Sequence, residues 1–378
     1  MSGNKGRIAS LSAFCAGDFT MQTRITRLFG IRHPVFCPGM TYVSNAALVA
    51  AVSNAGGLGI LAVGHLTPEE TREEIRRTRA LTDKPFGVGV ALIMPGATQN
   101  AEIAIAEKVP VINFSLGKGD WICARVHAYG GKVIATVVTA KHALAAERAG
   151  VDALLVTGHE AAAHGGDVTS LVLVPAIRQV TTLPLIATGG FASGGGLVAA
   201  LALGADAIAM GTRFATSKES PVHAVTKKMI VEKTESETIY SANFDSMPCR
   251  VMKTPTSEKR MAKPLTLWRA LFKALGAARD SGRPLFGLLR EVFSNGFTET
   301  LKLAYFGAAT GEIRKAIIDG DHVNGVQLIG QAQGLVHEVM GVPEIMQRVL
   351  AEADTALKNI NAQADVKTTA EPALQETV

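Results

Sequence analysis

The run Val156-Thr157-Gly158-His159-Glu160-Ala161-Ala162-Ala163-His164-Gly165-Gly166 sets two histidines and a carboxylate among alanines and glycines. Neutral imidazole is the natural proton acceptor near pH 7, and small neighbours leave room beside it for a reacting molecule. A lone histidine is more often structural. Two of them on a small-residue loop that follows an apolar stretch point to proton transfer, with Glu160 as an orienting partner or a second base. There is no Gly-x-Ser-x-Gly and no His-Glu-x-x-His, so neither a hydrolase elbow nor a metalloprotease helix is present in the sequence.

Two further segments are rich in glycine. Thr188-Gly189-Gly190 is followed by Ser193-Gly194-Gly195 opening a helix, and Met210 is followed by Gly211-Thr212-Arg213. Glycines in such turns let backbone N–H groups converge on an anion, and a helix N-terminus adds partial positive charge. The plainer reading is a tight turn that needs positive φ. A base beside a phosphate cradle, with no nucleophile, implies that a bound cofactor performs the difficult step.

The elements that must position these residues alternate from Val35 to about Gly211. Apolar runs predict strands at Val35–Cys37, Leu58–Ala62, Phe86–Ala91, Val111–Phe114, Val133–Thr136, Ala153–Val156, Leu183–Ala187 and Ala207–Met210. Their apolar residues are continuous, as in parallel strands buried on both faces. Helical patterns lie between them: Ala46–Asn54, Thr67–Thr82 with Pro68 and two acids in its first turn, and Ala140–Ala149 ending at Gly150. Eight strands joined by such crossovers predict an α/β fold, a (β/α)8 TIM barrel. The three functional segments then fall after strands six, seven and eight, at the C-terminal ends where barrel enzymes build their sites. A doubly wound sheet is the alternative. It calls for a Gly-x-Gly-x-x-Gly turn after its first strand, where this chain has Pro38-Gly39-Met40-Thr41.

Residues 1–24 read as an N-terminal extension, 25–235 as the barrel, 236–358 as an appended C-terminal helical cap that binds substrate, and 359–378 as a polar, flexible tail. From Pro221 to Leu350 the pattern predicts helices only. The chain of 378 residues is 47% apolar and 19% charged, an ordinary globular composition, and its apolar runs are too short to span a bilayer. With no signal peptide legible, the cytoplasm is the expected location. Four scattered cysteines (Cys15, Cys37, Cys123, Cys249) form no CxxC pair, so buried thiols are expected and neither zinc nor a disulfide framework. The net charge of +5 is uneven, because ten Lys/Arg and two acids between Arg250 and Arg290 make that stretch +8. The stretch reads as a solvated helical face or as an edge for an anionic partner. It carries Trp268, Phe272 and Phe286 but no nucleic-acid recognition motif.

As a set, these motifs resemble the nitronate monooxygenase (formerly 2-nitropropane dioxygenase) family, which is related to the FMN-dependent enoyl-acyl-carrier-protein reductases. The resemblance runs from about Arg27 to Ala351. It rests on Pro38-Gly39-Met40, Asn54-Ala55-Gly56-Gly57-Leu58-Gly59, Gly158-His159-Glu160-Ala161 ending at His164, Ala187-Thr188-Gly189-Gly190 and Met210-Gly211-Thr212-Arg213-Phe214. Lys218-Glu219-Ser220 with His223, and Gly330-Gln331-Ala332-Gln333-Gly334-Leu335, also fit.

The resemblance implies an FMN oxidoreductase in which His164 is the catalytic base. Gly189, Gly190, Gly211 and Thr212 would hold the FMN phosphate, and Met40 would lie by the isoalloxazine ring. Gly39, Thr41, Gly89, Thr157, Ala162, Ala209 and Met210 fall at further flavin contacts. At three places the chain differs from the usual family pattern: Gly89 for Asn, Thr157 for Gln or Glu, and Ala162-Ala163 for Gly-Gly. The implied reaction is oxidation of alkyl nitronates with O2 to a carbonyl compound and nitrite. The alternative is reduction or dehydrogenation of an acyl thioester of coenzyme A or a carrier protein, with NAD(P)H as co-substrate; the basic stretch suits such a partner. A non-catalytic flavin-binding protein is the third reading. The partner in each case is a small molecule, without nucleic acid or membrane, and a homodimer is compatible with apolar helices on a barrel exterior.

Overall fold

The structure, a computed structural model, describes residues 20–162, 164–244, 247–262 and 309–364. Eight parallel strands close into a barrel in chain order: β1 (Val35–Cys37), β2 (Leu58–Ala62), β3 (Gly87–Ala91), β4 (Val111–Ser115), β5 (Lys132–Val137), β6 (Ala153–Thr157), β7 (Leu185–Thr188) and β8 (Ala207–Ala209). The circle closes where β1 pairs with β8, Val35 opposite Ile208 and Phe36 opposite Ala209. The predicted TIM barrel is present, and each predicted strand lies within two residues of an observed one.

Helix α1 (Arg24–Phe29) precedes the barrel. The seven crossovers are α2 (Ala46–Asn54), α3 (Pro68–Leu81), α4 (Ala97–Ala106), α5 (Asp120–His127), α6 (Ala140–Arg148), α7 (Ser170–Arg178) and α8 (Gly194–Ala202). Local chemistry sets their ends. Thr67 and Glu70 form a reciprocal capping box at the start of α3. Gly150, after α6, takes φ +86°, which a side chain rarely permits.

Because side chains alternate along each strand, the barrel sorts them into two cores. Residues such as Val88, Ile112, Val133, Leu154 and Leu185 point outward and pack under the helices. Phe36, Leu58, Ile60, Val111, Ile134, Leu155, Ile186 and Ala209 fill the interior. Ile25 and Phe29 of α1, with Ile31, join that interior cluster, and the Phe29 and Phe36 rings meet edge to face at 5.8 Å. Helix α1 therefore plugs the N-terminal end of the barrel. Arg24 fastens it there through a two-pronged bond to Asp206, Nε–Oδ1 2.7 Å and Nη2–Oδ2 2.6 Å. The expected extension thus stops short of Arg24, which belongs to the barrel.

After the barrel come α9 (Gly211–Ala215), α10 (Ala224–Glu232) and α11 (Pro255–Ala262). Between α10 and α11 the all-helical expectation fails: β9 (Thr238–Ser241) and β10 (Cys249–Met252) pair antiparallel, with Tyr240 opposite Arg250. The final helix α12 (Val342–Ala364) runs past the predicted start of the tail at 359 and packs on α8 and α2, so it completes the barrel wall. Trp268, Phe272, Phe286 and Arg290 lie outside the described residues, as does Cys15. Cys37, Cys123 and Cys249 are buried. Among the described residues, no helix is long and apolar enough to cross a membrane.

Candidate active site

The C-terminal ends of the strands carry a ring of small and polar side chains above the apolar interior. Counting upward from Val111, Ile134, Leu155 and Ile186 in the interior core, alternation turns Asn113, Thr136, Thr157 and Thr188 to the inside of the next layer. The side-chain amide of Asn113 donates to the Ile134 carbonyl and to Thr136 Oγ1, both at 3.1 Å, and Thr188 Oγ1 donates to the Ala209 carbonyl at 3.0 Å. Gly89 is the register partner of Asn113, and Thr157 that of Thr188. Asn113 and Thr136 escaped the sequence reading. Their signal was a single polar residue at an inward position of an otherwise apolar strand.

Around this floor stand the residues singled out in the sequence. Gly39, Met40 and Thr41 follow β1, Gly89 lies in β3, and Thr157 ends β6. Ala162 and His164 follow on the loop after β6, Gly189 and Gly190 follow β7, and Met210, Gly211 and Thr212 follow β8. All lie at one end of the barrel. Gly39 and Gly89 sit so close that a Cβ on either would come 3.6 Å from the Cα of the other. A Cβ on Gly211 would lie 3.6 Å from Met40 Sδ, so the β1 and β8 loops also meet. Two side chains point elsewhere: Ala209 belongs to the barrel interior and Met210 to the outer core, so the latter can offer only backbone.

The predicted anion cradle divides in two. Gly189 and Gly190 have φ +100° and +82°, and a Cβ on Gly189 would approach the Gly158 carbonyl oxygen to 3.0 Å. Helix α9 begins next to them without a side-chain cap on its first-turn amides. That backbone suits a phosphate. The second half of the motif serves packing instead. Gly194 N–H donates to Glu352 of α12 at 2.8 Å, Ser193 caps Gly196 N–H, and a Cβ on Gly194 would strike the Val349 carbonyl at 2.1 Å.

The histidine loop is anchored at nearly every turn. The Glu160 carboxylate accepts from Ser170 N–H at 3.0 Å and Ser170 Oγ at 3.0 Å, so it caps α7 and spends its hydrogen bonds there. His159 is also fixed: Nδ1 lies 3.1 Å from the Gly166 carbonyl, and its ring meets Tyr240 at 4.4 Å. His164 stays partly exposed at the rim. Arg250 is buried, 4% exposed, and its guanidinium holds the His159 carbonyl at 2.9 Å from Nη2 and 3.3 Å from Nε. Burial lowers its affinity for a proton, and Tyr240 is raised for the same reason. The first cation of the basic stretch is therefore not on a solvated face. Arg260 is similarly enclosed, paired with Glu312 at 3.1 Å.

Cys37 ends β1 beside this rim, but its side chain faces the outer core, and burial pushes the thiol up to about 12. It is not a nucleophile. In the loop after β1, Tyr42 takes φ 63° and its ring lies tilted against that of His65, centroids 4.3 Å apart. A left-handed tyrosine is uncommon and is often held for function.

A closed parallel barrel that gathers a histidine loop, glycine turns with open backbone amides and a polar floor at its C-terminal end has the layout of a barrel enzyme. The sequence profile of the family described as "Nitronate monooxygenase" matches residues 22–103 and 93–352, and the chain belongs to that family. A "(3aS,4S,5R,7aS)-5-hydroxy-7a-methyl-1-oxo-octahydro-1H-indene-4-carboxyl-CoA dehydrogenase" of Mycobacterium tuberculosis is 34% identical, over 90% of this chain and 99% of its own. A "Probable nitronate monooxygenase" of Staphylococcus aureus is 29% identical, over 61% of this chain and 78% of its own. The structure of FabK from Thermotoga maritima is similar with a TM-score of 0.76 at 34% identity, covering 91% of this chain and all (100%) of that one.

Proposed function

We propose that the protein is an FMN-dependent oxidoreductase that acts on an acyl thioester. The observation that carries this reading is coverage: the CoA-thioester dehydrogenase aligns over 90% of this chain and 99% of its own length, against 61% and 78% for the nitronate relative. The cradle suits FMN, since Gly189, Gly190 and the first amides of α9 can take its phosphate, and the paired glycines Gly39 and Gly89 leave backbone clear for a flat ring beside Met40. FMN, when bound, supplies the hydride exchange with the carbon β to the thioester. His164 takes the proton from the α carbon in dehydrogenation and returns it in reduction. Asn113, Thr136 and Thr157 would offer FMN polar side chains from the barrel floor. NAD(P)H is the matching partner in the reductive direction.

The test is anaerobic titration of FMN-loaded protein, followed by visible absorbance. Saturated acyl-CoA should bleach the flavin, and an α,β-unsaturated acyl-CoA should restore the colour of protein reduced with NAD(P)H. Bleaching by alkyl nitronates with nitrite release in air, and none by any thioester, would reverse the reading in favour of nitronate oxidation. That second reading is favoured by the Staphylococcus relative. Bleaching by neither class would leave a flavin-binding protein without catalysis.

A further inference from the structure

The loop from Gly158 to Gly166 has few side chains with which to hold itself. Among its described residues Gly158, Ala161, Ala162, Gly165 and Gly166 carry at most a methyl group, and Glu160 is engaged with α7. A base must nevertheless stand at a fixed distance and angle from the proton it moves, and a loop of this composition loses much backbone entropy when it is fixed. Bonds from outside the barrel hold it. Most of them converge from one cross-strand pair, Tyr240 of β9 opposite Arg250 of β10.

The backbone N–H of Arg250 donates to the Ala162 carbonyl at 3.1 Å, two residues before His164. The hydroxyl of Tyr240 donates to the Gly165 carbonyl at 2.7 Å, one residue after it. The pair therefore brackets the histidine from both sides. The Arg250 guanidinium grips the His159 carbonyl, donates to Thr238 Oγ1 at 3.0 Å and stacks 5.3 Å from the Tyr240 ring centre. The His159 ring closes the group against the other edge of Tyr240. The hairpin is tied down in turn: Ile329 N–H donates to the Arg250 carbonyl at 3.3 Å, Met252 N–H to Gln327 at 2.8 Å, and Gln331 N–H returns to the Glu160 carbonyl at 2.9 Å.

We propose that Tyr240 and Arg250 are positioning residues that hold the His164 imidazole at the distance and angle its proton transfer requires. The inference rests on the reading of His164 as the proton-handling group. Neither Tyr240 nor Arg250 touches the reacting atoms. They act through the carbonyls of residues 159, 162 and 165.

The test compares Tyr240→Phe, which keeps the ring and deletes one hydrogen bond, with Arg250→Lys, which keeps the charge and loses the two-pronged grip. Histidine-labelled protein is titrated by NMR, with the His164 signal assigned by its loss in His164→Asn. Both variants should move the His164 titration midpoint by about half a pH unit or more, leaving that of His127 on α5 in place. Hydrogen exchange across 158–166 should quicken about tenfold or more. With an active substrate in hand, kcat should fall roughly 10- to 100-fold, with KM within about twofold and the pH–rate profile displaced in step with the titration. Faster exchange with an unmoved His164 titration and an unmoved pH–rate profile overturns the proposal and leaves a structural clamp only. If Arg250→Lys fails to fold, Tyr240→Phe alone decides. If the wild type turns over no thioester, the proposed substrate falls, whereas the titration and exchange results still judge the clamp.

Discussion

The two ends of the barrel are built on opposite plans. At the N-terminal end, α1 drives Ile25 and Phe29 into the interior, Arg24 locks onto Asp206, and His33 is buried at 2% exposure. Little there is open to a ligand. At the C-terminal end the loops are short of side chains, and segments from much later in the chain must hold them, with Arg250, Tyr240 and Gln331 reaching back to residues 159–165. Close packing is concentrated at one end and open backbone at the other, the division expected where a barrel supports chemistry on its loops. Glycine and alanine make the rim accessible, and the hairpin restores the order that they give up.

That division can be attacked from either side. The largest effect belongs to His164→Ala, which should slow turnover by about 10²–10⁴-fold while thermal unfolding and bound-flavin absorbance stay at wild-type values. Equal loss of flavin and of fold would place His164 in the scaffold instead. Phe36→Ala attacks the other end: a fully buried ring is removed from the interior cluster, and denaturant titration should show a loss of about 3–5 kcal/mol. Correctly folded Phe36→Ala protein should still take up FMN in equal proportion.

His33 supplies a pH test of the closed end. Burial, aided by Arg32, lowers its pKa from 6.5 to about 4, so the unfolded chain binds its proton more readily in that interval. Stability is therefore undisturbed above about pH 6.5 and falls as pH drops toward 4, by at most about 3 kcal/mol from this group. Unfolding free energies at several pH values should show a shallower slope in His33→Leu. Smaller still is Glu160→Gln, which weakens the cap on α7 and should cost about 1 kcal/mol. A calorimetric Tm unchanged in that variant would mean that the carboxylate charge contributes nothing to the helix end. Arg24→Met ranks last, at up to about 1 kcal/mol for a pair whose cation is partly exposed, and salt should shrink the difference.

The barrel was legible because each strand is a largely apolar run bounded by turn residues, a pattern that burial on both faces demands. The placement of the glycine turns after β7 and β8, and of the histidine loop after β6, followed from counting those strands. The hairpin was not legible. Thr238-Ile239-Tyr240-Ser241 and Cys249-Arg250-Val251-Met252 are four residues each, and an arginine in the middle of a strand reads as exposed. It is buried only because the loop it grips offers a carbonyl that nothing local could foretell. Glu160 misled for the same reason, since its partner Ser170 is ten residues away and meets it only when α7 docks. Gly194 carried a true signal with two meanings: an anion site and a close helix crossing both exclude a Cβ, and only the position of α12 decides between them.

That crossing bears on how the barrel is assembled during synthesis. Helix α12 fills the place between α8 and α2, and Gly194 and Glu352, which meet across it, are 158 residues apart. On a ribosome, all eight strands would emerge while the stave that seals the wall is still unmade. Leu197, Val198 and their neighbours on α8 would then face water until Val342 and the residues after it arrive. Nascent chains halted before that helix should bind holdase chaperones and resist completion of the barrel, whereas release a few turns later should let it shut.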